Sequence, residues 1–541
     1  MNAGRLLVSM LEENGIDRVF CVPGESYLPI FDALLDSKID CVVCHHESSA
    51  GFMAVMDSRI TGRVGAAFVS RGPGATNASI AVHTAQQDAV PFILFVGQVE
   101  RKNLRRGAFQ EIDYGKMFGD IAKWVAEVRD PELLAEVMAK AIHVASTDTK
   151  GPVVIVLPED VLYEPVSPGP LRRFAPIQTA PSQDALDATI ALLREARRPL
   201  IIAGGELEHG DGRQALLAAA EAWSVPVSVS FRRHDLFPNE HPLFAGDLGI
   251  QNSDAQMAAM QEADLILAIG TRLGDLTTHG YTFPQAPWPN QKLVHVYNDP
   301  AAIGTHFRAD VGAACGSAAF LTRLAEARPN AATEERTAWI GRLHGLRTAI
   351  TKWTRKTAPD GVVFGNVVAS LAKQLKRDAI VTLDAGMSAA MLYKQVPWQP
   401  PQLMLATIAG VMGAGVPGAV AAAMRCPDRQ VVCAIGDGSF LMTGSELALA
   451  VERKLDLCIV LSHNHSYGSI RVQQEREFPG RVEGTNLSTP DFAMLGRAFG
   501  CKALVIEREE DVERVLEDAL ASKGPVLVEV KASLSAMLPA P

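Results

Sequence analysis

The feature that most restricts this chain is an alternation. Short runs of Val, Ile, Leu and Ala end in glycine-containing turns, and each turn gives way to a stretch with helical spacing. Runs that are apolar throughout read as strands buried on both faces, and strand–helix alternation builds parallel sheets. The expected class is therefore α/β, with doubly wound parallel sheets. At 541 residues the chain exceeds what one core can hold, so three domains of ordinary size are expected. Two passages break the alternation. Glu164 to Pro181 (EPVSPGPLRRFAPIQTAP) is too proline-rich for regular structure, and Glu326 to Thr357 reads as a polar helical connector. The units that remain are 1–165, 185–325 and 360–541.

The first and third units look alike. An acidic helical stretch runs through Thr149-Lys150 into Gly151-Pro152-Val153-Val154-Ile155-Val156, and another runs through Ser522-Lys523 into Gly524-Pro525-Val526-Leu527-Val528-Glu529. Upstream of each, a strand enters a glycine-rich turn and a helix: VGAAFVSRGPGATN in the first unit, VVCAIGDGSF in the third. A duplicated module flanking a different one is the economical explanation.

Composition removes several function classes. The net charge of −10, with basic residues scattered rather than striped, argues against nucleic acid. No apolar run approaches the ~20 residues of a membrane-spanning helix, and the amphipathic N-terminus lacks a signal-peptide core. The 8 dispersed cysteines suit reduced thiols and a cytoplasmic location. Cys41-Val42-Val43-Cys44-His45 matches the attachment pattern of c-type haem, but it lies in a β-branched run that reads as a buried strand. Two buried structural thiols is the better reading.

The chemistry sits in the third unit. The strand Val431 to Ile435 ends in Gly436-Asp437-Gly438-Ser439, and the strand Leu457 to Leu461 leads into His463-Asn464-His465-Ser466-Tyr467-Gly468. Neighbouring parallel strands would bring Asp437 and Asn464 to one sheet edge, where α/β folds bind ligands. Mg²⁺ takes hard oxygen ligands and shares them with phosphates. The Asp437 carboxylate, the Asn464 amide oxygen and the Ser466 carbonyl leave room for two phosphate oxygens and a water. Gly436 and Gly438 let backbone approach a diphosphate, and the helix that follows favours the anion. An internal control exists: Gly210-Asp211-Gly212 has Pro238 where a second ligand would stand, and it reads as a turn.

The stretch from this Gly-Asp-Gly to Asn464 resembles the signature of thiamine-diphosphate enzymes of the acetolactate synthase, pyruvate oxidase and pyruvate decarboxylase superfamily. The likeness covers nearly the whole chain. It implies a pyrimidine-binding domain (1–165), a central domain (185–325) and a diphosphate- and Mg²⁺-binding domain (360–541). It also implies a homodimer or tetramer with active sites shared between subunits. One departure is His463, where the family usually has a first Asn. His45-His46-Glu47-Ser48-Ser49-Ala50 is similar to the family's catalytic glutamate segment. Glu47 would hydrogen-bond the cofactor's aminopyrimidine and favour the imino form that takes the thiazolium proton. Gly410-Val411-Met412-Gly413 corresponds to the family's loop beneath the cofactor, with Met412 as the wedge and the Gly410 carbonyl as acceptor of the amino group. Asp384-Ala385-Gly386-Met387-Ser388 resembles a first diphosphate contact, through Gly386 and Ser388. Ser439 and Tyr467 fall beside the metal motif as further cofactor neighbours.

Arg71-Gly72-Pro73-Gly74-Ala75-Thr76-Asn77 and Phe109-Gln110-Glu111 look most like the acetolactate synthase branch, with Gln110 and Arg71 orienting an acceptor carbonyl. Pro23-Gly24-Glu25-Ser26 resembles its first active-site turn, except that Glu25 replaces a small residue, which calls for a partner such as Arg71. Ser469 and Gln473, in SIRVQQ, would face substrate, without the tryptophan common in biosynthetic relatives. The implied reaction is decarboxylation of a 2-oxo acid with carboligation. The alternatives are a simple 2-oxo acid decarboxylase and a flavin-linked oxidase. Gly204-Gly205, Gly270 to Asp275 and Asn298-Asp299-Pro300 occupy places that bind FAD in some relatives, which leaves FAD as an option.

Overall fold

The computed structural model describes residues 1–167, 169–250, 252–327 and 332–538. They form three six-stranded sheets in which every strand pairing is parallel, flanked by helices. The first sheet comprises β1 (Arg18–Cys21), β2 (Asp40–Val43), β3 (Gly65–Ser70), β4 (Phe92–Gln98), β5 (Trp124–Glu127) and β6 (Pro152–Pro158), in the order β2-β1-β3-β4-β6-β5. The central sheet comprises β7 (Pro199–Ala203), β8 (Val227–Val229), β9 (Phe244–Asp247), β10 (Leu265–Ile269), β11 (Lys292–Tyr297) and β12 (Val311–Ala314), in the order β12-β11-β10-β7-β8-β9. The third comprises β13 (Ile380–Leu383), β14 (Leu403–Leu405), β15 (Val431–Gly436), β16 (Leu457–His463), β17 (Lys502–Ile506) and β18 (Pro525–Lys531), in the order β14-β13-β15-β16-β18-β17.

The first and third sheets share one strand order, offset by twelve strands, and the central sheet does not. The duplication read from the two Gly-Pro-Val segments is thus a duplication of topology: β6 and β18 are equivalent, as are β3 and β15. Inner strands of both sheets are buried along nearly their whole length, as expected of β-branched runs covered on both faces. Between Glu164 and Pro181 the described residues form no helix or strand, and the later connector carries the helix Glu334–Thr351.

Packing joins the duplicated halves. The helix Glu47–Thr61, which follows β2, lies against the helix Gly415–Arg425, which follows β14. Their apolar residues, among them Phe52, Met56, Ala419 and Val420, belong to one core that also takes in Val69 and Ile435. Small residues make the approach possible. A methyl group on Gly418 would come within 3.2 Å of Met56 Cγ, and one on Gly51 within 2.4 Å of the Ala81 methyl on the neighbouring helix.

One expectation needs correction here. The Cys41–Cys44 run is not a strand buried on both faces: β2 is an edge strand, Val43 is exposed, and Cys41 is only half-buried, while Cys44 is buried. An edge position leaves one flank of β2 uncovered by sheet.

Candidate active site

Strands β15 and β16 pair in register from Val432↔Cys458 to Gly436↔Ser462, so their carboxyl ends finish side by side. Asp437 opens the helix Asp437–Thr443 and is buried. Its Oδ1 accepts from the Gly438 N–H at 2.8 Å; its Oδ2 accepts from the Asn464 and His465 N–H groups at 3.1 and 2.7 Å. Asp437 and Asn464, two of the three residues expected to hold the metal, are therefore brought together directly. Asn464 Oδ1 accepts from the Ser466 N–H at 3.0 Å, and the Ser466 carbonyl accepts from the Gly468 N–H at 2.8 Å, which fixes the turn and leaves each oxygen a second lone pair. Burial pushes the Asp437 carboxyl above the ordinary range in spite of its three N–H donors. A divalent cation would supply the missing charge, and the donor set is all oxygen, so these residues fit Mg²⁺.

The glycines show where a cofactor has room. A methyl group on Gly436 would meet nothing within 4 Å. One on Gly386 would meet only Ser469 Oγ at 3.9 Å, and one on Gly410 only the Ile408 carbonyl at 4.0 Å. Gly438 differs, because the Tyr467 ring lies against it, 2.5 Å from any added methyl. Gly386 (φ +115) precedes the helix Met387–Gln395, which follows β13 and contains buried Ser388; Ser439 is buried in the first turn after Gly436. Open space thus lies at the ends of β13 and β15, bordered by the glycine loop, as a diphosphate cradle requires. Asp384, at the start of the expected first diphosphate contact, has another task. It is buried, and its carboxylate accepts from the Gly413 N–H at 2.9 Å and the Gly415 N–H at 2.9 Å.

His463 takes up the place of the family's first Asn without disturbing Asn464. It is buried, with Nδ1 2.6 Å from Glu529 Oε1 and Nε2 2.7 Å from Thr489 Oγ1. Burial alone would raise the Glu529 carboxyl, but its bonds with His463 and Lys531 and the Ala493 N–H bring it down to about 2. Sequence reasoning missed this pair. A glutamate inside the otherwise apolar Pro525–Lys531 strand was the signal that could have found it.

In the first unit Glu47 opens its helix, with His46 as N-cap accepting from the Ser48 N–H. Asn77 Nδ2 donates to Glu47 Oε2 at 2.9 Å, and Oε1 faces Gly74, 3.5 Å from where a methyl would be. Neighbouring His45 donates its N–H to buried Glu446 of the third unit at 3.0 Å. Arg71 opens the helix Arg71–Asp88, and its partner is Glu159 at 2.8 Å, not Glu25. Glu159 follows β6 directly and so reaches the same sheet edge. Glu25 is exposed in the turn Glu25–Tyr27. Gln110 is exposed at φ +65, and its carbonyl accepts from the Gly72 N–H at 3.0 Å, which ties the Phe109–Glu111 loop to the Arg71 helix. Ser469 is half-buried and Gln473 exposed on the helix Gly468–Glu477.

Gly205, Gly270 and Asn298, from the three turns singled out for FAD, line one cavity of about 620 Å³ between the units. Two of its buried cations are already paired: Arg59 with Glu208 at 2.7 Å, Arg233 with Glu208 at 2.9 Å and with Asp88 at 3.5 Å. Burial alone would raise the Glu208 carboxyl, but Arg233 and Arg59 bring it down to about 2. A carboxyl depressed in the fold stabilises above its unfolded value, ordinarily 4.5, and loses that contribution as pH falls towards about 2. Thermal unfolding followed between those limits should show stability falling with pH, and Glu208→Gln should flatten the slope. A slope unchanged by Glu208→Gln would remove this junction as its source.

Comparison with known proteins agrees with this arrangement. Residues 1–117 match the N-terminal TPP binding domain of thiamine pyrophosphate enzymes, 186–324 the central domain and 384–530 the C-terminal TPP binding domain. Thiamine pyrophosphate is thiamine diphosphate, and none of the three descriptions names a flavin, so the FAD option gains no support. The chain is 33% identical to the acetolactate synthase large subunit of Parasynechococcus marenigrum, over 97% of its own length and 86% of that protein's. It is 31% identical to the acetolactate synthase large subunit of Corynebacterium glutamicum (96% and 84%) and 30% identical to the isozyme 2 large subunit of Escherichia coli (98% and 95%). With the metal-type turn, the glutamate helix and the duplicated sheets in place, the chain belongs to the thiamine pyrophosphate enzymes, in the family of the acetolactate synthase large subunits.

Proposed function

We propose that this enzyme decarboxylates a 2-oxo acid and joins the remaining acyl fragment, through its former carbonyl carbon, to an acceptor carbonyl, as the relatives named acetolactate synthase do by name. The observation that carries the reading is the meeting of Asp437 and Asn464 beside open space at Gly436, on a sheet that duplicates the one carrying Glu47. Residues 1–165 serve as the pyrimidine-binding domain, 185–325 as the central domain and 360–541 as the diphosphate- and Mg²⁺-binding domain.

Thiamine diphosphate, when bound, supplies a nucleophilic thiazolium carbon and an electron sink. The chain supplies the rest. Asp437, Asn464 and the Ser466 carbonyl hold Mg²⁺, and Gly386, Ser388, Gly436, Gly438, Ser439 and Tyr467 border the diphosphate. Asn77 occupies Glu47 Oε2, so Oε1 is the oxygen that holds and passes the proton. Gly410 and Met412 present a carbonyl and an apolar wedge from the glycine loop. Arg71, Gln110, Glu25, Ser469 and Gln473 form the substrate side, where Glu159 compensates the Arg71 charge and leaves the Glu25 carboxylate free to accept from a hydroxyl.

Two chains complete each site in a homodimer or a tetramer built from dimers. Exposed apolar side chains flank both halves: Ile80 one turn after Asn77, Phe109 in the loop tied to the first turn of the same helix, and Leu441 and Met442 one turn after Asp437. Apolar patches placed so are suited to burial against a second copy. The 8 cysteines are free thiols, which favours a reducing, cytoplasmic compartment, and among the described residues no helix is long and apolar enough to cross a membrane.

The test is product analysis after incubation with pyruvate, Mg²⁺ and thiamine diphosphate, repeated over a panel of 2-oxo acids. The expected result is CO₂ with an acyloin-type or acetolactate-type product. Aldehyde alone would assign a simple decarboxylase, and no CO₂ from any acid would refute the reading.

A further inference from the structure

The segment Ala406–Gly413 contains neither helix nor strand, yet it carries Gly410 and Met412. Polar groups from all three units hold its backbone. Arg59 of the first unit donates to the Ala406 carbonyl at 2.6 Å, and Arg232 of the central unit donates to the Thr407 carbonyl at 2.7 Å. Asp88 of the first unit accepts from the Ile408 N–H at 2.8 Å and the Ala409 N–H at 3.3 Å. Asp384 of the third unit takes the Gly413 N–H on the far side. Arg232 also donates to the Asp384 carbonyl at 3.3 Å, so one guanidinium ties both flanks of the loop together.

Each of these groups is buried, and buried charges persist only where specific partners hold them. Asp88 stands at the carboxyl end of its helix, where the helix dipole disfavours a carboxylate. The loop N–H groups and Arg233 account for its presence there. What remains between the two carboxylate anchors is Gly410, Val411 and Met412, with Gly410 at φ +64 and Gly413 at φ +88. Glycine-rich backbone without regular hydrogen bonds has much conformational freedom to lose, so its height depends on those anchors.

We propose that Asp88 and Arg232 are positioning residues, which set the height of the Gly410 carbonyl and the Met412 side chain and thereby the geometry in which the bound cofactor loses its C2 proton. This rests on the thiamine-diphosphate reading of the site. Neither residue belongs to the metal or diphosphate contacts, so binding and proton loss should separate when the anchors are altered.

The experiment uses the full chain with Asp88→Asn, which keeps the size and one acceptor oxygen but loses the charge and the second acceptor. With Mg²⁺ and thiamine diphosphate at saturation, C2-proton exchange should fall by roughly tenfold to 10²-fold, the usual consequence of misplacing a reacting group by about an ångström. Cofactor affinity should change little. In the cofactor-free chain, backbone amide exchange at Ile408 and Ala409 should accelerate. A role confined to stability would instead lower the unfolding temperature and leave C2 exchange at saturation unchanged. Wild-type C2 exchange in Asp88→Asn, or unchanged amide protection, overturns the proposal. Should Asp88→Asn fail to fold, Arg232→Lys keeps the charge, shortens the reach to the Thr407 and Asp384 carbonyls, and carries the same expectations. A wild-type chain that binds no thiamine diphosphate would refute the proposed function instead, and amide protection in the variants would then decide whether the clamp exists.

Discussion

Glu47→Gln is expected to bind thiamine diphosphate with near-normal affinity and to turn over on the order of 10²-fold or more slowly, the usual worth of a positioned acid–base group. The substitution keeps the helix start, because the cap is His46 and not Glu47. It also keeps an acceptor for Asn77, since the glutamine amide can present its oxygen to Nδ2. What it removes is the ability of the second side-chain atom to hold and release a proton. The decisive measurement is the rate at which bound cofactor exchanges its C2 proton with solvent. Exchange at the wild-type rate in Glu47→Gln would end the assignment, whatever the turnover.

The second large effect falls on the metal. In Asp437→Ala, Mg²⁺-dependent binding of thiamine diphosphate should weaken by more than roughly 10²-fold, beyond what the loss of an outer partner of a metal ligand costs. The same change strips an acceptor from the Gly438, Asn464 and His465 N–H groups, so some stability, about 1–3 kcal/mol for each group left unsatisfied, goes with it. Asp437→Asn, which keeps one acceptor oxygen, separates the two effects. Calorimetric titration with and without Mg²⁺ is the measurement, and unchanged cofactor affinity in either variant would falsify the assignment. Mixed with Glu47→Gln chains, Asp437→Ala chains should regain part of the wild-type activity if each site draws on two subunits, because one of the two hybrid sites is then intact.

The strands that lead into Gly436 and Asn464 could be read from the sequence because they are short, β-branched and unbroken, and the structure extends them only to Gly436 and His463. The same holds for the two Gly-Pro-Val segments, whose likeness proved to be a likeness of strand order. Partners far apart along the chain were not legible. Asp88 meets Ile408 across 320 positions, and the loop it holds has no periodicity to betray a carboxylate beneath it. Its signal was indirect: an acid at a helix end where a cation is favoured. A carboxylate beside a 2-oxo acid anion calls for a partner, which makes Arg71 the expected one for Glu25, yet Arg71 pairs with Glu159, the residue after β6. The Cys41–Cys44 run has the composition of a covered strand, and only the strand order showed it at the edge.

The duplicated topology has a consequence for stoichiometry. Counting strands, Arg71 is the first helical residue after β3 just as Asp437 is the first after β15, and Val99 follows β4 where Asn464 follows β16. The first half of the chain therefore sets a fixed cation and an alkyl group where the second half sets a carboxylate and an amide. On the proposed reading, a diphosphate with its divalent ion would have one berth per polypeptide instead of two, and the Arg71–Glu159 pair stands at the matching corner of the other sheet. Unlike side chains at matched corners of a repeated scaffold make its two halves inequivalent, so on the proposed reading the diphosphate would seat at the second half and not at the first.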